Sequence, residues 1–223
     1  MVKTILGKGA AVLVMALCAY GVVNLSKIAF ADVAAYQVEY AIKGWLGERR
    51  TPTPEEIEKN LKQIEVALAW EPTNPNYLHQ KGLLHIYDSL KSWGTDDFLP
   101  KSQLALTTYR EASRIRPMWP NTWARIAQVK AHQKVFDYEF ERAIKNAVTY
   151  GPWEPQVHVT VGDAGMFGWH SLSPETQTLV AQNIYRGIKR EARHLKPLAD
   201  QYGVRYTVCA QMPFDQRVKD FCR

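Results

Sequence analysis

Three short segments stack on one another and constrain the fold more than any other feature of the chain. They are Ala67-Leu-Ala-Trp-Glu-Pro72, Ala112-Ser-Arg-Ile-Arg-Pro117 and Ala147-Val-Thr-Tyr-Gly-Pro152, each of the form A-x4-P. Ten residues after each proline stands a small residue (Gly82, Ala127, Gly162). Eight residues before it stands an apolar one (Ile64, Tyr109, Ile144). Proline cannot donate to a helical ladder, so each ends a helix. The alanine one turn earlier lets a neighbouring helix approach closely, and the small residue of the next helix serves that contact from the other side. The pattern predicts helices in tandem pairs. The proline spacings are 45 and 35, and the longer one predicts an insertion loop at residues 91–97.

Elsewhere the helical period also dominates. Thr53-Pro54-Glu55-Glu56 reads as a capping box with proline at the first helical position. Ile57, Leu61, Ile64 and Leu68 follow at helical spacing. Asn74-Pro75 opens another helix, with Leu83, Ile86 and Leu90 on one face. Ser173-Pro174 opens a long late helix whose apolar side is Val180, Ile184, Ile188, Ala192 and Leu195. No segment alternates at period two with β-branched enrichment, so the expected class is all-α. The three-column register resembles the tetratricopeptide repeat, whose period is ~34 residues. That resemblance implies an α-solenoid of paired antiparallel helices over residues 52–170, about two and a half repeats.

The N-terminus imposes a separate constraint. Gly9 to Ser26 carries no charge, and with Lys27 snorkelling the apolar stretch reaches Ala31. Its 23 residues span roughly 34 Å as a helix, enough for a ~30 Å hydrocarbon core. Ala29-Phe30-Ala31 before Asp32 also fits the cleavage rule of a secretory signal. The uncharged run exceeds the usual ~7–15 residues of a signal core, and the helical pattern continues without Gly or Pro to Gly44. These two features favour an uncleaved anchor over release at Ala31. Lys3 and Lys8 favour a cytoplasmic N-terminus and Lys27 opposes it. The expected organisation is an anchor or signal at 1–31, a helical stem at 32–51, the repeats at 52–170, and a C-terminal helix with its tail at 171–223. The body would face the periplasm of a bacterial inner membrane, as a single-pass protein or, after cleavage, a secreted one.

One stretch narrows the family. Arg116-Pro-Met-Trp-Pro-Asn-Thr-Trp-Ala-Arg-Ile-Ala-Gln-Val-Lys130 resembles the VpsP-type polysaccharide-biosynthesis proteins, tetratricopeptide-like members of bacterial envelope and exopolysaccharide systems. Trp45, Trp70-Glu71-Pro72 and Gly151-Pro152-Trp153-Glu154-Pro155 are compatible with it. The resemblance covers most of residues 10–170 and is weakest after Gly187. It implies a role beside polysaccharide polymerisation or export and implies no catalytic residue.

Chemistry-bearing motifs are scarce. Phosphate-binding glycine loops, nucleophile elbows, H-E-x-x-H and C-x-x-C are all missing, and no two of the six histidines stand at i, i+4. No metal or cofactor is expected, and the adjacent Asp96 and Asp97 read as solvated or capping. The net charge is +6, with Lys3, Lys8 and Lys27 in the unpaired N-terminal segment. The remaining balance is too slight for a nucleic-acid face. Positive charge gathers late in the chain, where Arg186, Lys189, Arg190, Arg193 and Lys196 recur at helical spacing opposite an apolar stripe. A solvated face is the plain reading of that stripe; an acidic partner, an anionic glycan or lipid headgroups is the functional one. Trp119, Trp123 and Trp153 surround the repeat prolines. Inter-helix packing accounts for such residues, and Trp123 occupies a core column. Trp119, in the turn between Met118 and Pro120, is the candidate for an exposed platform for a sugar ring or a peptide.

Cys18 lies in the apolar segment, leaving Cys209 and Cys222 to pair near the C-terminus if the body is exported. The expected function is therefore a non-enzymatic scaffold holding protein partners of an envelope polysaccharide system. Alternatives are a tetratricopeptide adaptor in pilus or secretion assembly, and a helical glycan-cleaving enzyme with a carboxylate acid.

Overall fold

The computed structural model describes residues 2–223, with side chains from Leu13 onward, so Lys3 and Lys8 lie outside the described side chains. The described residues are 80% helical and contain no strand. Ten α-helices occur among them, with one short 3-10 turn at Trp169–Ser171. The chain divides into two compact units within its third helix, Met1–Gln80 and Lys81–Arg223.

The first unit holds α1 (Val2–Gly47), α2 (Pro54–Trp70) and the opening of α3 (Pro75–Lys91). Helix α1 has 46 residues and is about 69 Å long at ~1.5 Å per residue. It passes through Ala31 and Gly44 without a break. From Leu13 to Phe30 its large side chains are exposed. From Ala31 onward one face is buried against α2 through Ala31, Ala34, Ala35, Val38, Ile42 and Trp45. Ala31, Ala35, Val38, Ile42 and Trp45 recur at steps of four and three, with Ala34 beside Ala35, as one face of a helix requires. Tyr77 adds a hydrogen bond of 2.5 Å to Asp32. Helix α2 begins with the expected capping box: Thr53 Oγ1 accepts from Glu56 N–H, and Glu56 accepts from Thr53 N–H. Arg50 adds a two-pronged ion pair to the same Glu56 at 2.8 Å.

The second unit continues from the rest of α3 through α4 (Phe98–Ile115), α5 (Pro120–His132), α6 (Tyr138–Tyr150), α7 (Pro155–Phe167) and α8 (Pro174–Gln201) to α9 (Arg205–Cys209) and α10 (Gln216–Cys222). Helix α5 packs along α6 and α7, and α7 along α8. Ile126, Ile144, Val161, Ile184 and Leu195 form the centre of this core, all fully buried. Beneath it runs a charged cluster. Lys130, almost entirely buried, donates to Asp137 at 2.9 Å and Glu139 at 3.0 Å, and Arg110 pairs with Glu139 through two nitrogens. The cluster ties α4, α5 and the start of α6 together.

The three A-x4-P segments adopt one backbone geometry. Glu71, Arg116 and Gly151, each just before its proline, have φ of −131°, −130° and −130°, and each N–H closes on the carbonyl of the alanine in that repeat. Ala67, Ala112 and Ala147 are fully buried. A second proline column, three residues after the first, opens the following helix in all three cases: Pro75, Pro120 and Pro155. It fits there because the first helical N–H has no partner inside the helix.

Some expectations change. On α3 the buried positions include Gly82, Ile86 and Ser89, whereas Leu83 is half-buried and Leu90 is 40% exposed. The inward-facing leucine is Leu84, fully buried, one position on from Leu83. A Cβ at Gly82 would stand 2.7 Å from the ring of Tyr109, which occupies that space. The insertion lies at 92–97 between α3 and α4, turning at Gly94 with φ +83°. Asp97 takes the capping position of α4, yet its side chain makes no capping bond. Helix α8 starts at Ser173 as expected and runs on through Pro197.

Candidate functional site

The middle of α8, the α6–α7 turn and the start of α10 enclose a cleft of about 490 Å³. Its back wall is built by close approach. Gly187 on α8 leaves no room for a side chain, since a Cβ there would meet His158 Cβ at 2.7 Å. His158 and Asn183 lock α7 to α8: Asn183 donates its amide to the His158 carbonyl at 3.0 Å, which leaves its oxygen facing His158 Nδ1 at 3.1 Å. His158 Nδ1 is therefore the donor. Burial pushes the imidazole pKa down, and nearby Arg186 adds to that, outweighing the Asn183 bond. The neutral imidazole is favoured.

The rim carries the charge. Arg186, Lys189 and Arg190 line the cleft from α8, and Arg217 lines it from α10. Arg217 is satisfied by Asp215 at 2.7 Å and by the Tyr185 hydroxyl, over whose ring it also stacks. The other three have no such partner: among the described residues, Arg186, Lys189 and Arg190 form no ion pair. Arg186 is half-buried, donates to the Gln182 carbonyl one turn back at 3.2 Å, and stands 5.9 Å from the Trp153 ring. Burial pulls its pKa down, but a guanidinium does not deprotonate in this range and keeps its charge at that cost. Glu191 is the one carboxylate on the lining, 4.0 Å from His194.

Trp153 forms the opposite lip and is 73% exposed. Trp119, the expected platform, is half-buried with the Arg116 guanidinium 4.7 Å over its ring. Both follow a repeat proline, Trp119 by two residues and Trp153 by one. Trp123 is buried as expected and donates its indole N–H to the Pro117 carbonyl at 2.6 Å. The basic stripe divides. Arg186, Lys189 and Arg190 face the cleft, while Arg193 and Lys196 border a shallower depression with Pro197 and Asp200. A 28-residue helix gives one stripe two sets of neighbours, which spacing alone does not register. Cys209 and Cys222 are bridged, with Cα atoms 6.1 Å apart, and the bridge holds α9 to α10 and so steadies Arg217. Among the described residues no group of His, Cys, Asp and Glu is arranged to hold a metal ion.

No protein-family model matches this chain. No curated protein matches it.

Proposed function

We infer that the protein is a membrane-tethered, non-enzymatic helical scaffold, working beside the polymerisation or export of a cell-envelope polysaccharide. The observation that carries this reading is the division of α1 into a bare apolar part and a packed part. Ten large apolar side chains between Leu13 and Phe30 are exposed. Left in water they would forgo roughly 15–30 kcal/mol of burial, more than the ~5–15 kcal/mol net stability of a domain. A bilayer removes that cost. The packed part begins at Ala31, so cleavage there would cut a helix at a buried residue, which favours retention of the anchor. With the N-terminus cytoplasmic, the body lies in an oxidising compartment, and the Cys209–Cys222 bridge suits that side.

The body then presents tetratricopeptide-like pairs, α3–α4, α5–α6 and α7–α8, so that the repeats run past residue 170 to the end of α8. The shared turn geometry supports this, as does the seating of Gly151 against Pro120 of the preceding turn. The resemblance of Arg116–Lys130 to VpsP-type proteins supports the polysaccharide context. Deleting the gene in its host tests the proposal. Loss of surface polysaccharide, with pili and secretion intact, is the expected result. Polysaccharide unchanged with pili or secretion lost would favour an adaptor of those assemblies. Glycan fragments released by the purified protein would favour an enzyme.

A further inference from the structure

We propose that the cleft between the α6–α7 turn and α8 binds an anionic sugar unit, its ring laid on Trp153 and its acid group held by Arg186, Lys189 and Arg190. The inference rests on the scaffold reading for the choice of a sugar and goes beyond it in naming a ligand. Three observations lead there. First, Trp153 shows most of its surface to solvent at the lip of a concavity, and a flat indole face matches the apolar C–H face of a pyranose. Arg186 approaches the ring only loosely, at 5.9 Å, leaving area for a second contact.

Second, the three cations form no ion pair among the described residues, whereas Arg217 on the same lining has Asp215, and the buried Lys130 of α5 has Asp137 and Glu139. Arg186 is half-buried with the Gln182 carbonyl as its hydrogen-bond partner, so an incoming anion would satisfy a partly desolvated charge. Glu191 on the lining disfavours a highly charged ligand and suits one acid group per unit. Third, the volume lies within the ~300–1,000 Å³ range of ligand pockets. The wall behind it is held by the His158–Asn183 lock and the tight Gly187 contact, so the cleft is preformed. An acidic peptide would use the cations and leave the indole idle.

The acid group has two chemical sources, a uronate carboxylate in a polymer or the phosphoryl group of an activated sugar. Calorimetric titration of the full-length protein in detergent micelles separates them, with tetragalacturonate and glucose 1-phosphate as probes, and cellotetraose and hexaglutamate as controls. Tetragalacturonate or glucose 1-phosphate is expected to bind at least about 10-fold more tightly than either control, and to weaken as salt is raised. The tighter of the two names the source. Trp153→Ala and Arg190→Ala, both at exposed positions, should each weaken binding by about 10-fold. Arg114→Ala, an exposed cation on α4, should leave it unchanged. Absence of binding to both anionic sugars overturns the proposal. So does equal binding of hexaglutamate, or binding that Trp153→Ala does not alter. The envelope role is read separately by the deletion phenotype, so either can fail alone.

Discussion

Gly82 shows how one residue sets the spacing between two helices. Its missing Cβ is the space into which the fully buried Tyr109 ring fits, with three ring atoms within 2.8 Å of where that Cβ would stand. Alanine would gain up to ~1 kcal/mol in helix propensity. It would also force a large buried ring to move, at a cost of ~1–3 kcal/mol. The clash outweighs the gain because the Tyr109 ring is fully buried in the core, where neighbours must shift to make room. Gly82→Ala should therefore lower stability by about 1 kcal/mol or more, read as a fall in the urea midpoint at unchanged slope. Equal or higher stability would show that the Tyr109 ring is not seated there. The position was legible in the sequence as a small residue, Gly82, Ala127 or Gly162, ten positions after each proline. The ring that needs it was legible only as an apolar position.

The charged cluster and the disulfide act between elements. Arg110 holds the Glu139 carboxyl down, burial opposes it, and Lys130 adds to the lowering, leaving a pKa of about 2 against an ordinary 4.5. A carboxylate with a depressed folded-state pKa contributes stability above its unfolded value and loses it as pH falls toward the folded one. The contribution of Glu139 should thus be level above pH 4.5 and be lost between about 4.5 and about 2. Glu139→Gln leaves Lys130 with Asp137 alone in a buried setting and should cost about 3 kcal/mol, with a shallower acid limb. Chemical denaturation monitored by circular dichroism at pH 7 and pH 3 measures both. An unchanged acid limb in the variant would place the pH sensitivity elsewhere, for example in Glu141. Burial raises that carboxyl, but bonds from Ser173 and Thr176 hold it below its ordinary value.

At the C-terminus, the bridge spans a sequence separation of 13 and should stabilise by roughly 3 kcal/mol on the chain-entropy account. Cys209→Ser with Cys222→Ser should speed amide exchange in α9 and α10 first. Uniform loss of protection across α5–α8 would contradict so local a role. None of the Lys130 cluster was visible as a unit in the sequence, since its members come from three helices.

For the whole molecule, α1 makes the prediction. A helix bare to Phe30 and packed from Ala31 should keep the protein in membranes through a carbonate wash, with its N-terminus intact in cells. A mature chain beginning at Asp32 and recovered in the soluble fraction would replace the anchor with a signal peptide.

The helical class, the start of α2 at Thr53, the start of α8 at Ser173, an insertion within one residue of its observed bounds and the Cys209–Cys222 pair followed from the sequence alone. Each depends on local chemistry: which N–H lacks a partner, where proline ends a ladder, and which thiols share a compartment. The second proline column, Pro75, Pro120 and Pro155, was equally local and stood in plain view beside the first. The tertiary structure alone decided that Trp153 rather than Trp119 is exposed, that the α8 stripe divides, and that Arg217 joins Arg186 at one cleft. Exposure and convergence depend on which neighbour covers which face. Helical spacing fixes the direction of a side chain on its own helix but carries no information about the helix opposite.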